Sequence, residues 1–198
     1  MRILFLVVSL LIYYAYANAQ DKAELYQTEI IVFKQIEADI AIDKLKDLSH
    51  IQTSQHLERA ALDLFQTDAY DDISAIPESQ LKLTSEVQKI QLDSRYELLY
   101  HGGWRQPPLH RAQTPYINIL NGPQNGLLKG TAWMSFERYF KLILDFQYDP
   151  NFNDTPEFVD TPQTFSIPIH LERIMADEKL FYIDHPIIGV IAIINPIS

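Results

Sequence analysis

Four residues near the middle of the chain have side chains suited to ligand recognition: His101, Trp104, Arg105 and Gln106. The Trp104 indole offers a flat apolar face on which a ring can stack, and the Arg105 guanidinium can donate two parallel hydrogen bonds to a carboxylate. An equally open alternative is that Trp104 fills the edge of the core while Arg105 pairs with an acidic residue, since tryptophan is highly buried on average. We therefore predict ligand binding for these residues and keep core packing as the alternative.

Two histidines have a carboxylate close by in the sequence, and each pair could in principle transfer protons. His101 lies four residues after Glu97, and His185 directly follows Asp184. A His–carboxylate pair is a usual arrangement for general acid–base catalysis. A lone histidine beside a turn more often satisfies local backbone groups, so no catalytic residue is predicted. Asp184 and His185 instead join the predicted ligand-binding residues.

The motifs of several enzyme classes are absent from the sequence. It contains no Gly-x-Ser-x-Gly elbow, no glycine-rich phosphate loop and no His-Glu-x-x-His helix of zinc proteases. The six histidines are scattered, and the lack of cysteine excludes disulfides, thiolate metal ligands and a lipid-modified cysteine. We therefore expect neither a metal nor a cofactor.

The segment 95–108 must position the four central candidates. Residues 96–101 alternate with the period of a strand that has one more apolar face. Gly102 and Gly103 allow the backbone to bend, and the prolines at 107–108 cannot donate to a sheet. The sequence predicts a strand whose end presents the candidate residues in a bend.

A helix is predicted immediately before this strand. Apolar residues recur at helical spacing over residues 79–94, and Ser79 is a candidate N-cap. A strand pattern at 25–33 precedes the helix, so the order strand–helix–strand could form a β-α-β unit with parallel strands.

The second half of the chain is rich in strand patterns. Residues 127–136 and 138–148 predict one hairpin, and residues 164–175 and 179–183 predict another. The apolar run 187–194 predicts a strand buried on both faces. We predict an α+β fold in which a mostly antiparallel sheet carries one main helix on a face.

Composition sets the domain organisation and excludes several partners. Residues 1–19 combine Arg2, a short apolar run and an Ala-Asn-Ala pattern, which predicts a cleaved signal peptide rather than a retained anchor. Residues 20–198 are predicted to form one domain, with the polar segment 34–77 as a surface excursion. The net charge of −10 argues against nucleic acid and anionic membranes. We expect no stable membrane insertion after cleavage.

Four blocks of sequence carry a family resemblance. They are YQTEIIVF at 26–33, YELLYH at 96–101 followed by WRQP at 104–107, the pairs Gly130-Thr131 and Arg138-Tyr139, and YIDHPIIGV at 182–190. In their order and spacing the chain resembles the CsiV family of periplasmic peptidoglycan-binding proteins of Gram-negative bacteria. It departs from the family's pattern in the acidic segment 34–77 and at Gly102-Gly103.

The resemblance implies a non-catalytic periplasmic protein that binds peptidoglycan. It further implies support of cell-wall assembly through a lipoprotein activator (LpoA) of a bifunctional penicillin-binding protein. The resemblance supplies no binding residues, so the six candidates rest on their own chemistry. Two other functions stay open: a wall hydrolase that uses Asp184-His185 and Glu97-His101, and an adaptor that binds only proteins.

Overall fold

The computed structural model describes residues 25–36, 72–120, 127–149 and 167–197. The predicted signal peptide at 1–19 and residues 37–71 of the predicted excursion lie outside these ranges. The elements are β1 (Leu25–Gln35), β2 (Ser74–Ala75), α1 (Thr84–Leu92), β3 (Tyr96–Gln106), β4 (Ile117–Leu120), β5 (Leu127–Phe136), β6 (Phe140–Asp149), β7 (Ile167–Met175), β8 (Phe181–Asp184) and β9 (Ile188–Ile197).

The strands form two antiparallel sheets. Sheet A has the order β2-β3-β1-β9-β8, and sheet B has the order β4-β5-β6-β7. The predicted α+β class, with mostly antiparallel strands and a single helix, is confirmed for the described residues. The strands form two sheets, however, where the sequence predicted one.

One apolar core lies between the two sheets. The strands fill it with the side chains of one face, because successive side chains of a strand point to opposite faces. The core-facing side chains of β6 are all buried: Phe140, Leu142, Leu144, Phe146 and Tyr148. From sheet A, the Tyr26 ring reaches within 4.5 Å of the Phe140 ring, measured between centroids. Burial of large apolar side chains contributes about 1.5–3 kcal/mol each, so this strand is a main source of stability.

The helix α1 packs on the opposite, outer face of sheet A, over β1 and β3. Its Ile90 packs with Leu83 against the outward-facing apolar residues of β1. The helix begins at Thr84, later than predicted, because Glu78–Gln80 forms a separate 3-10 turn. The predicted N-cap role of Ser79 is wrong, since the N-cap residue is Leu83 and has no side-chain cap of its own.

The predicted β-α-β unit is also wrong, because β1 and β3 are antiparallel neighbours. The Ile36 N–H donates to the Arg95 carbonyl oxygen at 2.9 Å, beside the pair Gln35 and Tyr96. The chain therefore leaves β1 at its C-terminal end and re-enters the sheet beside that same end. The right-handed crossover rule concerns parallel strands, so it does not apply to this antiparallel pair.

One predicted hairpin is confirmed and the other is wrong. β5 and β6 pair along their whole lengths, as the alternation predicted. By contrast, β7 pairs with β6 in sheet B, whereas β8 pairs with β9 in sheet A. The chain thus changes sheets between Met175 and Phe181, where the Glu178 N–H donates to the Ile194 carbonyl oxygen at 2.8 Å. Two strands separated by a turn can each prefer a different neighbour when their apolar faces meet across one core.

The glycine pair lies inside β3 and does not end it. Gly102 is paired with Ile30 of β1, and the register continues without a break to the end of the strand. A Cβ at Gly103 would collide with the carbonyl oxygen of Thr28, so glycine is needed there for close approach of two backbones. The prediction of a bend at the glycine pair is wrong. The register between β1 and β3 shifts instead between Val32 and Phe33.

Candidate functional site

The four central candidates divide between the two faces of sheet A. Because successive residues of a strand point to opposite sides, Trp104 and Gln106 face the core while His101 and Arg105 face outward. Trp104 and Arg105 therefore do not lie side by side on one surface. The predicted presentation of all four residues at a strand end is wrong for this reason.

Trp104 and Gln106 form a buried link between the sheets. Both residues are 0% exposed. The Trp104 Nε1–H donates to Gln106 Oε1 at 2.6 Å, and Gln106 Nε2 donates to the Met134 carbonyl oxygen of β5 at 2.8 Å. The indole N–H is thereby satisfied inside an apolar core, as a buried donor must be. Of the two alternatives for Trp104, this burial agrees with core packing.

A buried carboxylate on the outer face of sheet A was not among the predicted residues. Glu29 of β1 is 0% exposed. Its Oε2 accepts the backbone N–H of Lys82 at 2.8 Å, and its Oε1 accepts the N–H of Leu83 at 2.7 Å. These N–H groups lie at the start of α1, where they have no partner within the helix. Glu29 thus caps the helix from a neighbouring strand, and its negative charge suits the helix N-terminus.

His101 completes this arrangement. Its Nε2 lies 2.8 Å from Glu29 Oε1, so its carboxylate partner is Glu29 rather than the predicted Glu97. Its side chain is only 14% exposed. A glutamate directly before the apolar run at residues 30–33 was the available sequence signal. Its partners come from residues more than 50 positions away and could not be identified from the sequence.

Beside Glu29, three polar residues form a row across sheet A. Arg105, Gln27 and Asn195 are paired in register on β3, β1 and β9, and we call them the polar row. Arg105 Nη2 donates to the side-chain oxygen of Gln80, and Gln27 Nε2 donates to the Gln80 carbonyl oxygen at 3.3 Å. Arg105 Nε and Asn195 Nδ2 are buried, and neither has a hydrogen-bond acceptor among the described residues. Within the described part of the chain, the polar row therefore holds these two donors without an acceptor.

Asp184 and His185 lie at the opposite end of the same face. Asp184 Oδ1 accepts the Tyr182 hydroxyl at 2.8 Å and Gln35 Nε2 at 3.1 Å. His185 Nδ1 accepts the N–H of Ile187 at 3.2 Å. Burial lowers the pKa of His185, although the Asp184 charge acts in the other direction, so the neutral ring that accepts this bond is favoured.

Next to Asp184 runs a line of three aromatic residues, Tyr96, Phe33 and Tyr182, which we call the aromatic row. The Phe33 ring meets Tyr96 edge-on at 5.2 Å and stacks on Tyr182 at 6.3 Å with an interplanar angle of 16°. Gly189 makes this possible, because a Cβ there would collide with the Phe33 ring. Tyr182 is 51% exposed, whereas Phe33 is buried. Partial burial and the Asp184 hydrogen bond raise the pKa of Tyr182 to about 12.

The predicted candidates therefore do not form one site. Gln27 of the polar row and Phe33 of the aromatic row are six residues apart on β1, which corresponds to about 20 Å along an extended strand. Arg105 lies at the first end and Asp184 at the second, whereas His101, which pairs with Ile31, lies between them. The ligand-binding role of all six candidates stays a prediction.

The described residues contain neither a metal-binding cluster nor a membrane-spanning helix. No group of three or more His, Asp or Glu side chains in these ranges could hold a metal ion. No helix in the same ranges is long and apolar enough to cross a membrane.

The comparison with protein families agrees with the resemblance in the sequence. A family model described as "Peptidoglycan-binding protein, CsiV" matches residues 3–197, which is nearly the whole chain. No curated protein and no solved structure matches the chain. The chain belongs to the CsiV family of peptidoglycan-binding proteins.

Proposed function

We propose that this protein binds peptidoglycan in the periplasm without cleaving it and thereby supports cell-wall assembly. The observation that carries the proposal is the family match over residues 3–197, whose description names peptidoglycan binding. Export is supported by the leader pattern at residues 1–19.

The side-chain contacts favour binding over hydrolysis. The carboxylate beside His101 is Glu29, which is fully buried and accepts two backbone N–H groups at the start of α1. A general acid or base must reach the bond that it cleaves, and this carboxylate is engaged inside the protein. The ring of His185 is likewise engaged, because it accepts a backbone N–H. His101 and His185 thus each make a structural contact.

We place the wall ligand on the outer face of sheet A. Four of the six predicted residues lie on or at the end of this face: His101, Arg105, Asp184 and His185. In this proposal Trp104 and Gln106 hold β3 from the core side and do not touch the ligand. Arg105 remains the candidate for a wall carboxylate, since its side chain is only partly buried and a guanidinium can donate two parallel hydrogen bonds.

We further propose that the protein acts on wall synthesis through a lipoprotein activator (LpoA) of a bifunctional penicillin-binding protein. The family resemblance supports this partner. In the described part of the chain no strand pairs with the outer edge of β7, and such an edge can accept a strand from another protein. Sedimentation of an equimolar mixture of the two purified proteins tests this interaction. If each protein sedimented at the rate that it shows alone, the proposed interaction would be wrong.

Sedimentation with isolated sacculi tests wall binding directly. We expect the purified protein to pellet with sacculi, and the bound fraction to hold or rise at moderate salt, because a chain of net charge −10 is repelled by wall carboxylates. Protein that stays in the supernatant at both low and moderate salt would overturn the proposal.

A parallel assay separates binding from hydrolysis. Incubation with the same sacculi at several pH values is expected to release no soluble wall fragments. Release that disappears in the His185→Ala variant would favour the hydrolase instead. Release that persists in this variant would point to a contaminating enzyme.

A further inference from the structure

We propose that the aromatic row and Asp184 form a sugar-binding subsite that takes the glycan strand of peptidoglycan, and not its peptide. The inference rests on the proposed function and names both the surface and the part of the wall polymer that it binds. It moves the ring-stacking role from Trp104, which is 0% exposed, to Tyr182, which is 51% exposed.

The exposed ring of Tyr182 is held in place before any ligand arrives. It stacks on the buried Phe33 ring at 6.3 Å, and its hydroxyl donates to Asp184 Oδ1 at 2.8 Å. A side chain that is already fixed loses little conformational entropy when a ligand binds. Tyrosine thus presents a flat, rigid and amphipathic surface of the kind on which a sugar ring can stack.

Hydrogen-bonding groups lie directly beside this ring. Asp184 is exposed, and the two hydrogen bonds recorded for its carboxylate, from Tyr182 and Gln35, both go to Oδ1. Among the described contacts its Oδ2 accepts none, so this oxygen is available to a sugar hydroxyl. A carboxylate that accepts from hydroxyl groups fixes the orientation of a sugar stacked on the neighbouring ring.

The charge of the surface favours the sugar over the peptide. Wall peptides carry carboxylates, which the Asp184 charge would repel, whereas the sugar hydroxyls of the glycan are neutral donors. One cation near the aromatic row is Arg95, which lies 5.5 Å from the Tyr96 ring centroid. Its guanidinium is held by Asp93 through Nε and Nη2, with the Nη2 bond at 2.6 Å. The arginine charge is therefore already matched by a carboxylate.

A second exposed tyrosine shows that exposure alone does not make this site. Tyr139, in the turn between β5 and β6, is 53% exposed, nearly the same fraction as Tyr182. The described contact of its ring is with the guanidinium of Arg138, at 5.5 Å from the ring centroid. Among the described contacts, the Tyr139 ring has no stacked aromatic partner and its hydroxyl has no hydrogen bond to a carboxylate, so Tyr139 provides a matched control.

The test compares sacculus binding of the full protein and three variants. Tyr182→Ala removes the ring, Tyr182→Phe keeps the ring but loses the hydroxyl, and Tyr139→Ala is the control. We expect Tyr182→Ala to weaken binding by about 10-fold or more, as loss of a central aromatic contact does. Tyr139→Ala should stay within about 2-fold, as residues outside the contact do. Retention of most of the affinity by Tyr182→Phe would show that the ring matters, and it guards against a folding defect in the alanine variant.

Soluble probes identify the recognised part of the polymer. Titration with the tetramer of N-acetylglucosamine, followed by amide chemical shifts, should perturb residues around Tyr182 and Asp184. Free wall peptides released by an amidase from the same sacculi should not perturb them. If only the wall peptides perturbed these amide shifts, or if wild type and Tyr182→Ala bound sacculi equally, the sugar subsite would be wrong. Wall binding itself would still stand. Failure of the wild type to bind sacculi would overturn the proposed function itself.

Discussion

Substitution of the buried helix cap gives a sharp quantitative test of the fold. Glu29→Gln preserves the size of the side chain but replaces one acceptor oxygen by an NH2 donor. In the wild type both oxygens face donors, because Oε2 meets the Lys82 N–H while Oε1 meets the Leu83 N–H and His101 Nε2. In either orientation of the amide, its NH2 group must therefore face another donor.

The expected cost follows from these contacts. One hydrogen bond to a charged acceptor is lost, which typically removes about 1.5–3 kcal/mol, and a buried backbone donor left without an acceptor costs about 1–3 kcal/mol. The two costs overlap, since both describe the same broken bond, and the lost charge at the helix N-terminus adds about 0.5 kcal/mol. We expect Glu29→Gln to lower the free energy of unfolding by about 3 kcal/mol.

Urea unfolding followed by tryptophan fluorescence measures this change, because Trp104 and Trp133 are both buried in the folded protein. Glu86→Gln is the matched control. Glu86 lies in the first turn of the same helix, but its contacts with Ser85 and Lys89 are at the surface. The control should change stability by no more than about 0.5 kcal/mol. If Glu29→Gln lowered the free energy of unfolding by no more than Glu86→Gln does, the capping role of Glu29 would be refuted.

Two further predictions concern β3 and the end of β8. A Cβ at Gly103 meets the backbone of β1, whereas one at Gly102 meets the Tyr100 side chain, with the hydroxyl oxygen at 2.6 Å and the ring carbon Cζ at 2.9 Å. Because a side chain can move aside more readily than a paired backbone, urea unfolding should show a loss of about 3 kcal/mol or more for Gly103→Ala and about 1 kcal/mol for Gly102→Ala. Equal losses would contradict the close approach of the two strands. Burial lowers the pKa of His185 below the ordinary histidine value of 6.5, so the unfolded chain binds a proton at this residue more readily than the folded protein does. This contribution to stability is present in full above pH 6.5 and declines as the pH falls below it. The urea midpoint of His185→Asn should therefore fall less between pH 7.5 and pH 5 than that of the wild type, and parallel curves would contradict this assignment.

Elements with a strong local period could be predicted from the sequence. The alternation along 138–148 matches the observed β6, and the apolar run 187–194 matches the observed β9. Both patterns depend only on which side chains must leave water, so strand identity and the buried face follow from composition and spacing. The family was also recognisable from the sequence, and the family model matches it over residues 3–197.

The positions of the candidate residues were harder to predict, because the face on which a residue lies depends both on the period of the strand and on where the strand ends. Reading Gly102-Gly103 as the end of a strand put Trp104 and Arg105 in a common bend. The strand instead continues to Gln106, so the period of two sends these neighbours to opposite faces. A glycine pair permits a bend and also permits close packing of backbones, and the local sequence does not distinguish the two uses.

The sequence by itself determined the chemical character of the chain: an acidic, cysteine-free protein with antiparallel strands and no recognised catalytic motif. Only the tertiary structure decided which side chains share a surface. Glu29 meets the start of α1 and His101, and Phe33 reaches Tyr182 across Gly189, through contacts between residues 53 to 149 positions apart. Such contacts depend on strand order and register, which are set by the packing of two sheets around one core and leave no periodic trace in the local sequence.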